Sequence, residues 1–138
     1  MTCDKQHQLI LNKAIQILDE ELPELIAVFV FGSFGTEYER IESDLDLAVL
    51  TTHSIDIVRL WNLAQEIAKM VGRNVDLIDL RQASTVFAFQ VLSTGTAIYC
   101  SNDIVLANFD IVIMSMYQHL QEERKDILGD IEKGIFYA

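Results

Sequence analysis

Proline and glycine, the residues that most often interrupt regular structure, are scarce in this chain. One proline and six glycines occur among 138 residues, and there is no internal repeat or low-complexity stretch. Flexible linkers are rich in such residues, so the composition predicts one compact domain covering 1–138. Hydrophobic residues make up 51% of the chain, which is enough for a core and too many for a disordered protein.

Basic residues are also few. The chain has 10 Lys and Arg against 21 Asp and Glu, for a formal net charge of −11. A broad nucleic-acid-binding surface needs clustered cations, so no direct nucleic-acid binding is expected. An acidic surface can attract a basic protein partner, although it serves solubility equally well. A nucleotide can still bind, because a bound metal ion reverses the local field.

Long apolar runs and paired cysteines are missing. The longest apolar run, 25–31, has seven residues, whereas a membrane-spanning helix needs about 20. The N-terminal segment is polar and lacks the apolar core of a signal peptide. Cys3 and Cys100 show no metal-type spacing, so we expect reduced thiols, a cytoplasmic location and no membrane association.

The apolar periodicity predicts alternating helices and strands, in the order expected of an α/β or α+β layered domain. Ser54 is the expected N-cap of the second helix, and Gly72 follows its last turn. Trp61 is expected in the core or at an interface. The predicted helices are 4–21, 55–71, 82–92 and 103–127, and the predicted strands are 25–31, 45–51, 74–80 and 97–100.

A glycine–serine pair and two spaced aspartates flank the turn between the first two strands. Gly32-Ser33 ends the first strand, and Asp44-Leu45-Asp46 opens the second after ten intervening residues. Alternate strand residues share a face, so Asp44 and Asp46 point the same way, roughly 7 Å apart. Like charges so placed destabilise a sheet unless a cation lies between them, and Mg²⁺ prefers carboxylate oxygens together with substrate phosphates.

A third acid, Asp76, joins this pair if strand 74–80 lies beside strand 45–51. Asp79 competes for the role, but strict alternation puts it on the opposite face from Asp76. Three such acids suit two Mg²⁺ ions, with Asp76 as general base or orienter of an acceptor hydroxyl. Gly32 lets the backbone approach a phosphate closely, and the amide and hydroxyl of Ser33 can donate to phosphate oxygens.

Each of these pieces alone has an ordinary explanation. A Gly-Ser pair after a strand is commonly a turn, an Asp-x-Asp is common on surfaces, and a lone Asp76 is more often a solvated strand end. Their joint occurrence at strand ends is much rarer, so the pattern favours nucleotidyl transfer over coincidence.

The combination Gly32-Ser33, a gap, and Asp44-x-Asp46 resembles the nucleotidyltransferase superfamily typified by DNA polymerase beta. The resemblance is nearest to minimal nucleotidyltransferases that are antitoxins of HEPN–MNT toxin–antitoxin pairs. It covers about 10–100 and continues through a helical extension, 102–138. It implies a small mixed sheet of about four strands flanked by helices. It also implies transfer of AMP from ATP, with Mg²⁺, to a tyrosine of a partner HEPN RNase toxin.

The same resemblance assigns roles to individual residues. Gly32 and Ser33 match the nucleotide-binding motif, Asp44 and Asp46 the metal-binding pair, and Asp76 the third catalytic and metal-binding acid. Many relatives carry Ala-Arg-Gly soon after the Gly-Ser pair, where this chain has 35–37, Gly-Thr-Glu. Arg40 is a candidate replacement for that arginine.

Two other functions share all five motif residues. A small-molecule nucleotidyltransferase, of the type that modifies antibiotics, commonly has an added substrate-binding domain, for which 138 residues leave little room. A non-catalytic antitoxin would neutralise its toxin by binding alone; the missing arginine leaves this open, and the three intact acids argue against it.

Overall fold

The alternating pattern predicted from the sequence is present in the fold. A computed structural model describes residues 2–32 and 44–132, with side chains for 5–32 and 44–127. The segments in chain order are α1 (Thr2–Glu21), β1 (Leu25–Phe31), β2 (Leu45–Thr51), α2 (Ile57–Val71), β3 (Val75–Asp79), α3 (Thr85–Thr94), β4 (Thr96–Cys100) and α4 (Asp103–Glu132).

The four strands form one mixed sheet in the order β3-β2-β1-β4. β1 pairs antiparallel with both β2 and β4, whereas β2 and β3 are parallel. Parallel neighbours need a crossover connection, and α2 supplies it between β2 and β3. The prediction of a small mixed sheet flanked by helices, with a long C-terminal helix, is confirmed.

Helices cover both faces of the sheet, so the central strands are buried on both sides. Leu45, Leu47 and Val49 of β2 pack in a cluster with α1 and α2. Ala48 and Leu50 pack in a second cluster, with α3 and α4. β2 thus reads as an almost continuous apolar strand, as expected for a strand buried on both faces. The polar exception on the α3 and α4 face is Asp46.

The start of α2 differs from its prediction. Its N-cap is Asp56, whose side chain accepts a hydrogen bond from the Arg59 N–H, and Ser54 lies outside the helix. Ile55 is buried, and its N–H donates to the Asp79 carboxylate at 2.8 Å, so this backbone is held outside the helix. At the other end, Gly72 adopts the left-handed conformation with φ 71°, as predicted.

Several large apolar side chains on the helices are exposed, among them Trp61, which was expected in the core or at an interface. Trp61 is 62% exposed and Val58 64% exposed, both on α2. Met114 and Met116 of α4 are also exposed. These side chains are apolar, but packing against the rest of the domain covers only one stripe of each helix.

Among the residues that the structure describes, none of the helices is long and apolar enough to cross a membrane.

Replacing Asp79 with Ala is expected to lower the free energy of unfolding by about 2–3 kcal/mol. The buried carboxylate accepts hydrogen bonds from the N–H groups of Ile55 at 2.8 Å and Arg81 at 3.0 Å. The substitution leaves both donors without this acceptor. Denaturant unfolding measures the loss, and Asp126→Ala on the exposed part of α4 is the control, expected within about 0.5 kcal/mol of wild type. Equal stabilities of the two variants would contradict the assignment.

Candidate active site

Gly32 closes β1 and lies directly against the carboxylate of Asp46. Its φ is +76°, a left-handed conformation that side-chain-bearing residues rarely adopt. A Cβ placed on Gly32 would lie 2.2 Å from Asp46 Oδ2, closer than any real contact. The position therefore requires glycine for two independent reasons, the backbone conformation and the space that the carboxylate occupies.

Sheet register brings acids from two strands together. Asp46 of β2 is the direct partner of Asp76 of β3, and on its other side it is paired with Phe31 of β1. Strands β2 and β3 are therefore neighbours, as the third-acid hypothesis required. Asp46 and Asp76 lie on the α3 and α4 face, since their neighbours Leu45, Leu47 and Leu77 pack with α1 and α2.

The remaining acid of the set, Asp44, immediately precedes β2. Asp44 and Asp76 are exposed and Asp46 is partly buried. Asp46 thus lies within the paired strands, with Asp44 two residues before it in the chain and Asp76 opposite it on β3. This end of the sheet also holds Gly32, because β1 runs antiparallel to β2.

The electrostatics of this end of the sheet are unfavourable without a cation. Burial raises the pKa of Asp46 above its usual 3.8, and the nearby charges of Asp76 and then Asp44 raise the pKa further. The fold therefore holds three like charges close enough to oppose one another's ionisation. A positive charge placed among them would relieve that repulsion.

The donor set fits Mg²⁺, which takes carboxylate oxygens and retains water or substrate phosphates as its other ligands. Within 2–32 and 44–132, no three acidic, histidine or cysteine side chains are already arranged as a metal site. Bound phosphates would supply the oxygens that the carboxylates do not. The assignment of metal-binding roles to Asp44, Asp46 and Asp76 stays a prediction.

Two predicted contacts fall outside the described residues. Ser33 and Arg40 both lie in the segment 33–43, which the structure does not describe. The nucleotide-binding role of Ser33 and the replacement of the missing arginine by Arg40 both stay predictions.

An aromatic pair next to the acids was not foreseen. Phe31, the partner of Asp46, meets Phe87 of α3 edge to face, with ring centroids 5.6 Å apart. This contact joins β1, the strand beside Asp46, to the helix that covers the same face of the sheet. Alternation along β1 places Phe31 on the same face as Phe29, and this is the sequence signal that could have found it.

Arg81, just after β3, contacts the end of β2 and helix α4. Its Nε donates to the Thr51 carbonyl, and its guanidinium lies 5.4 Å from the centre of the Phe109 ring. Both contacts lie at the end of the sheet opposite Asp46, so Arg81 supports the fold rather than the site.

Gly32→Ala is expected to destabilise the protein by at least about 1 kcal/mol more than Gly72→Ala. Both glycines have positive φ, 76° and 71°, so the two variants carry the same backbone strain. Only at Gly32 does the new methyl group meet another atom, Asp46 Oδ2, since nothing lies within 4 Å of the Gly72 position. Urea unfolding of both variants measures the difference. Equal losses would show that the carboxylate does not occupy this space.

Asp46→Asn is expected to stabilise the metal-free protein near neutral pH. The folded pKa of Asp46 lies above its usual 3.8, so ionisation favours the unfolded chain. This cost is absent well below pH 3.8 and develops as the pH rises through the folded pKa. Unfolding in urea with a chelator, below that pH and near neutrality, tests the expectation, with Asp126→Asn as control. A variant less stable than wild type near neutrality would contradict it.

Comparison with known proteins identifies the family. The polymerase beta nucleotidyltransferase family matches residues 12–104. Protein adenylyltransferase MntA of Shewanella oneidensis is 40% identical over 90% of this chain and 88% of its own length.

Two solved structures share the fold over nearly their whole length. A toxin–antitoxin crystal structure with AMP-PNP matches with a TM-score of 0.77 and 38% identity, over 88% of this chain and 97% of that one. A structure of the tri-AMPylated S. oneidensis HEPN toxin in complex with its MNT antitoxin matches with a TM-score of 0.76 and 38% identity, over 91% and 98% of the respective chains. This chain therefore belongs to the polymerase beta nucleotidyltransferase family, as a relative of the MntA adenylyltransferases.

Proposed function

We propose that this chain is the antitoxin of a HEPN–MNT pair and a Mg²⁺-dependent protein adenylyltransferase. It transfers AMP from ATP to a tyrosine of its partner HEPN RNase toxin and thereby silences it. The observation that carries the proposal is the juxtaposition of Gly32, in the turn after β1, with Asp46 of β2 and Asp76 of β3. The likeness to a protein adenylyltransferase over 90% of the chain supports the choice of AMP as the transferred group.

The reaction requires an in-line displacement at phosphorus. The tyrosine oxygen bonds to the α-phosphorus of ATP, the bond from that phosphorus to the bridging oxygen breaks, and pyrophosphate leaves with the electron pair. The phenolic proton passes to Asp76, the acid that we assign as base or orienter. Most of the acceleration in such transfers comes from positioning and charge stabilisation.

Each site residue has a part in this positioning. Gly32 brings backbone close to the triphosphate because it carries no side chain, and Ser33 follows it in the motif. Asp44, Asp46 and Asp76 would hold Mg²⁺, which when bound neutralises the phosphate charge and lowers the pKa of a coordinated hydroxyl. The raised pKa of Asp46 fits this role, since a cation would offset both of its causes, burial first and then the charges of Asp76 and Asp44.

The cellular setting we infer is the cytoplasm. Cys100 is a free, exposed thiol, as expected in a reducing compartment. The net charge of −11 favours a basic protein partner over nucleic acid.

Incubation with labelled ATP, Mg²⁺ and the product of the neighbouring gene is expected to place label on that partner. Asp46→Asn should reduce labelling by at least about a hundredfold, because it removes a charge from the centre of the acid cluster. Asp126→Asn, on the exposed part of α4, is the matched control and should label normally. Partner binding without label in either form would favour inhibition by binding alone. Label on an aminocyclitol drug instead would favour a small-molecule enzyme.

A further inference from the structure

The order of the strands fixes the side from which the acceptor must approach. Gly32, which we assign to the triphosphate, directly follows β1, whereas Asp46 lies on β2 and Asp76 on β3. In an in-line displacement the attacking oxygen and the leaving group lie on opposite sides of the phosphorus. With pyrophosphate held on the β1 side, the acceptor hydroxyl comes from the β3 side. Among the described residues, β3 is the last strand at that edge of the sheet.

A cavity of about 440 Å³ lies against this edge of β3. Its lining comes from helices on both faces of the sheet, including Leu60 of α2 and Phe87 of α3, with Ile78 of β3 between them. Ile78 is two residues beyond Asp76 and on the same face, roughly 7 Å away. Phe87 also contacts Phe31, the strand partner of Asp46. The cavity lies along the part of β3 that follows Asp76, from Leu77 to Asp79, and none of the three acids lines it.

An exposed tryptophan extends the same surface. Arg59 marks the side of α2 that faces α1, since it bonds to Glu24 at 3.5 Å and to the Glu21 carbonyl. Helical geometry places Ile57 and Trp61 roughly 160° around α2 from Arg59, on the side of the β3 edge. Ile57 is 71% exposed and Trp61 62% exposed. Aromatic side chains on a surface are the residues that most often dominate protein interfaces.

Charge indicates which kind of peptide would cover this surface. The exposed carboxylate of Asp56 stands at its far end, before α2, and the chain as a whole is strongly acidic. An apolar strip that leads from the acid cluster to Asp56 suits an extended peptide whose aromatic residue reaches the acid cluster and whose cationic residues lie toward Asp56. Such a peptide also satisfies the free edge of a strand by main-chain pairing.

We propose that the β3 edge, the adjoining cavity and the Ile57–Trp61 patch form the docking face for the tyrosine-bearing segment of the toxin. This inference rests on the proposed function, because it takes the acceptor to be a tyrosine in a protein. It assigns Trp61 to recognition of the partner and not to nucleotide binding or chemistry.

Trp61→Ala is expected to raise the KM for the toxin by at least about tenfold and to leave the KM for ATP unchanged. Met70→Ala is the matched control, since Met70 is 59% exposed on the same helix but lies only roughly 20° from Arg59, on the α1 side. Ile57→Gln should reproduce the Trp61 effect. Thermal unfolding of all three variants should match wild type, because each side chain is mostly exposed.

A direct binding readout separates this inference from the proposed function. Trp61 is the only tryptophan, so incorporated 5-fluorotryptophan gives a single ¹⁹F resonance. That resonance should shift on addition of the unlabelled toxin and stay in place with ATP and Mg²⁺ alone. A shift without AMP transfer would support the docking face and refute the proposed function. Normal AMP transfer with equal KM values for Trp61→Ala and Met70→Ala would overturn the docking face and leave the function intact.

Discussion

The close approach of Gly32 to the Asp46 carboxylate is the contact on which the site depends. It sets the distance between the turn after β1 and the acid at the centre of the cluster, and it tolerates no side chain at Gly32. The same carboxylate is partly buried and faces Asp76 across the ladder, so its ionised form is disfavoured until a cation arrives. The fold thus gives up some stability at this end of the sheet, as functional sites commonly do.

At the opposite end of the sheet, the buried carboxylate of Asp79 takes no part in the site and is engaged in hydrogen bonds that hold the fold. Asp79 is 3% exposed and accepts hydrogen bonds from two backbone N–H groups, and the Arg81 side chain donates to the Thr51 carbonyl. These contacts fasten the segment before α2 to the turn after β3. They keep β2 and β3 in the register that aligns Asp46 with Asp76 at the other end. One aspartate of β3 therefore stabilises the fold, and the other belongs to the site.

The order of the strands also bears on how substrates would approach the site. In the function that we propose, nucleotide and acceptor take opposite sides of the acid cluster, because β1 and β3 flank β2. The exposed apolar side chains of α2 lie on the β3 side, where we propose that the protein partner docks. The crossover helix that makes β2 and β3 parallel neighbours would then also take part in recognition of that partner.

Residue types and their spacing determined the alternating elements, the Gly32 turn and the three acids, because strand and helix periods and the need for glycine at positive φ are local properties. Strict alternation also separated Asp76 from Asp79 before any contact was known. Only tertiary structure decided that β2 and β3 are parallel neighbours, that Ile55 lies outside α2, and that Trp61 is on the surface. Those outcomes depend on which elements meet in space, since packing covers one stripe of each helix and leaves the rest to solvent or to a partner.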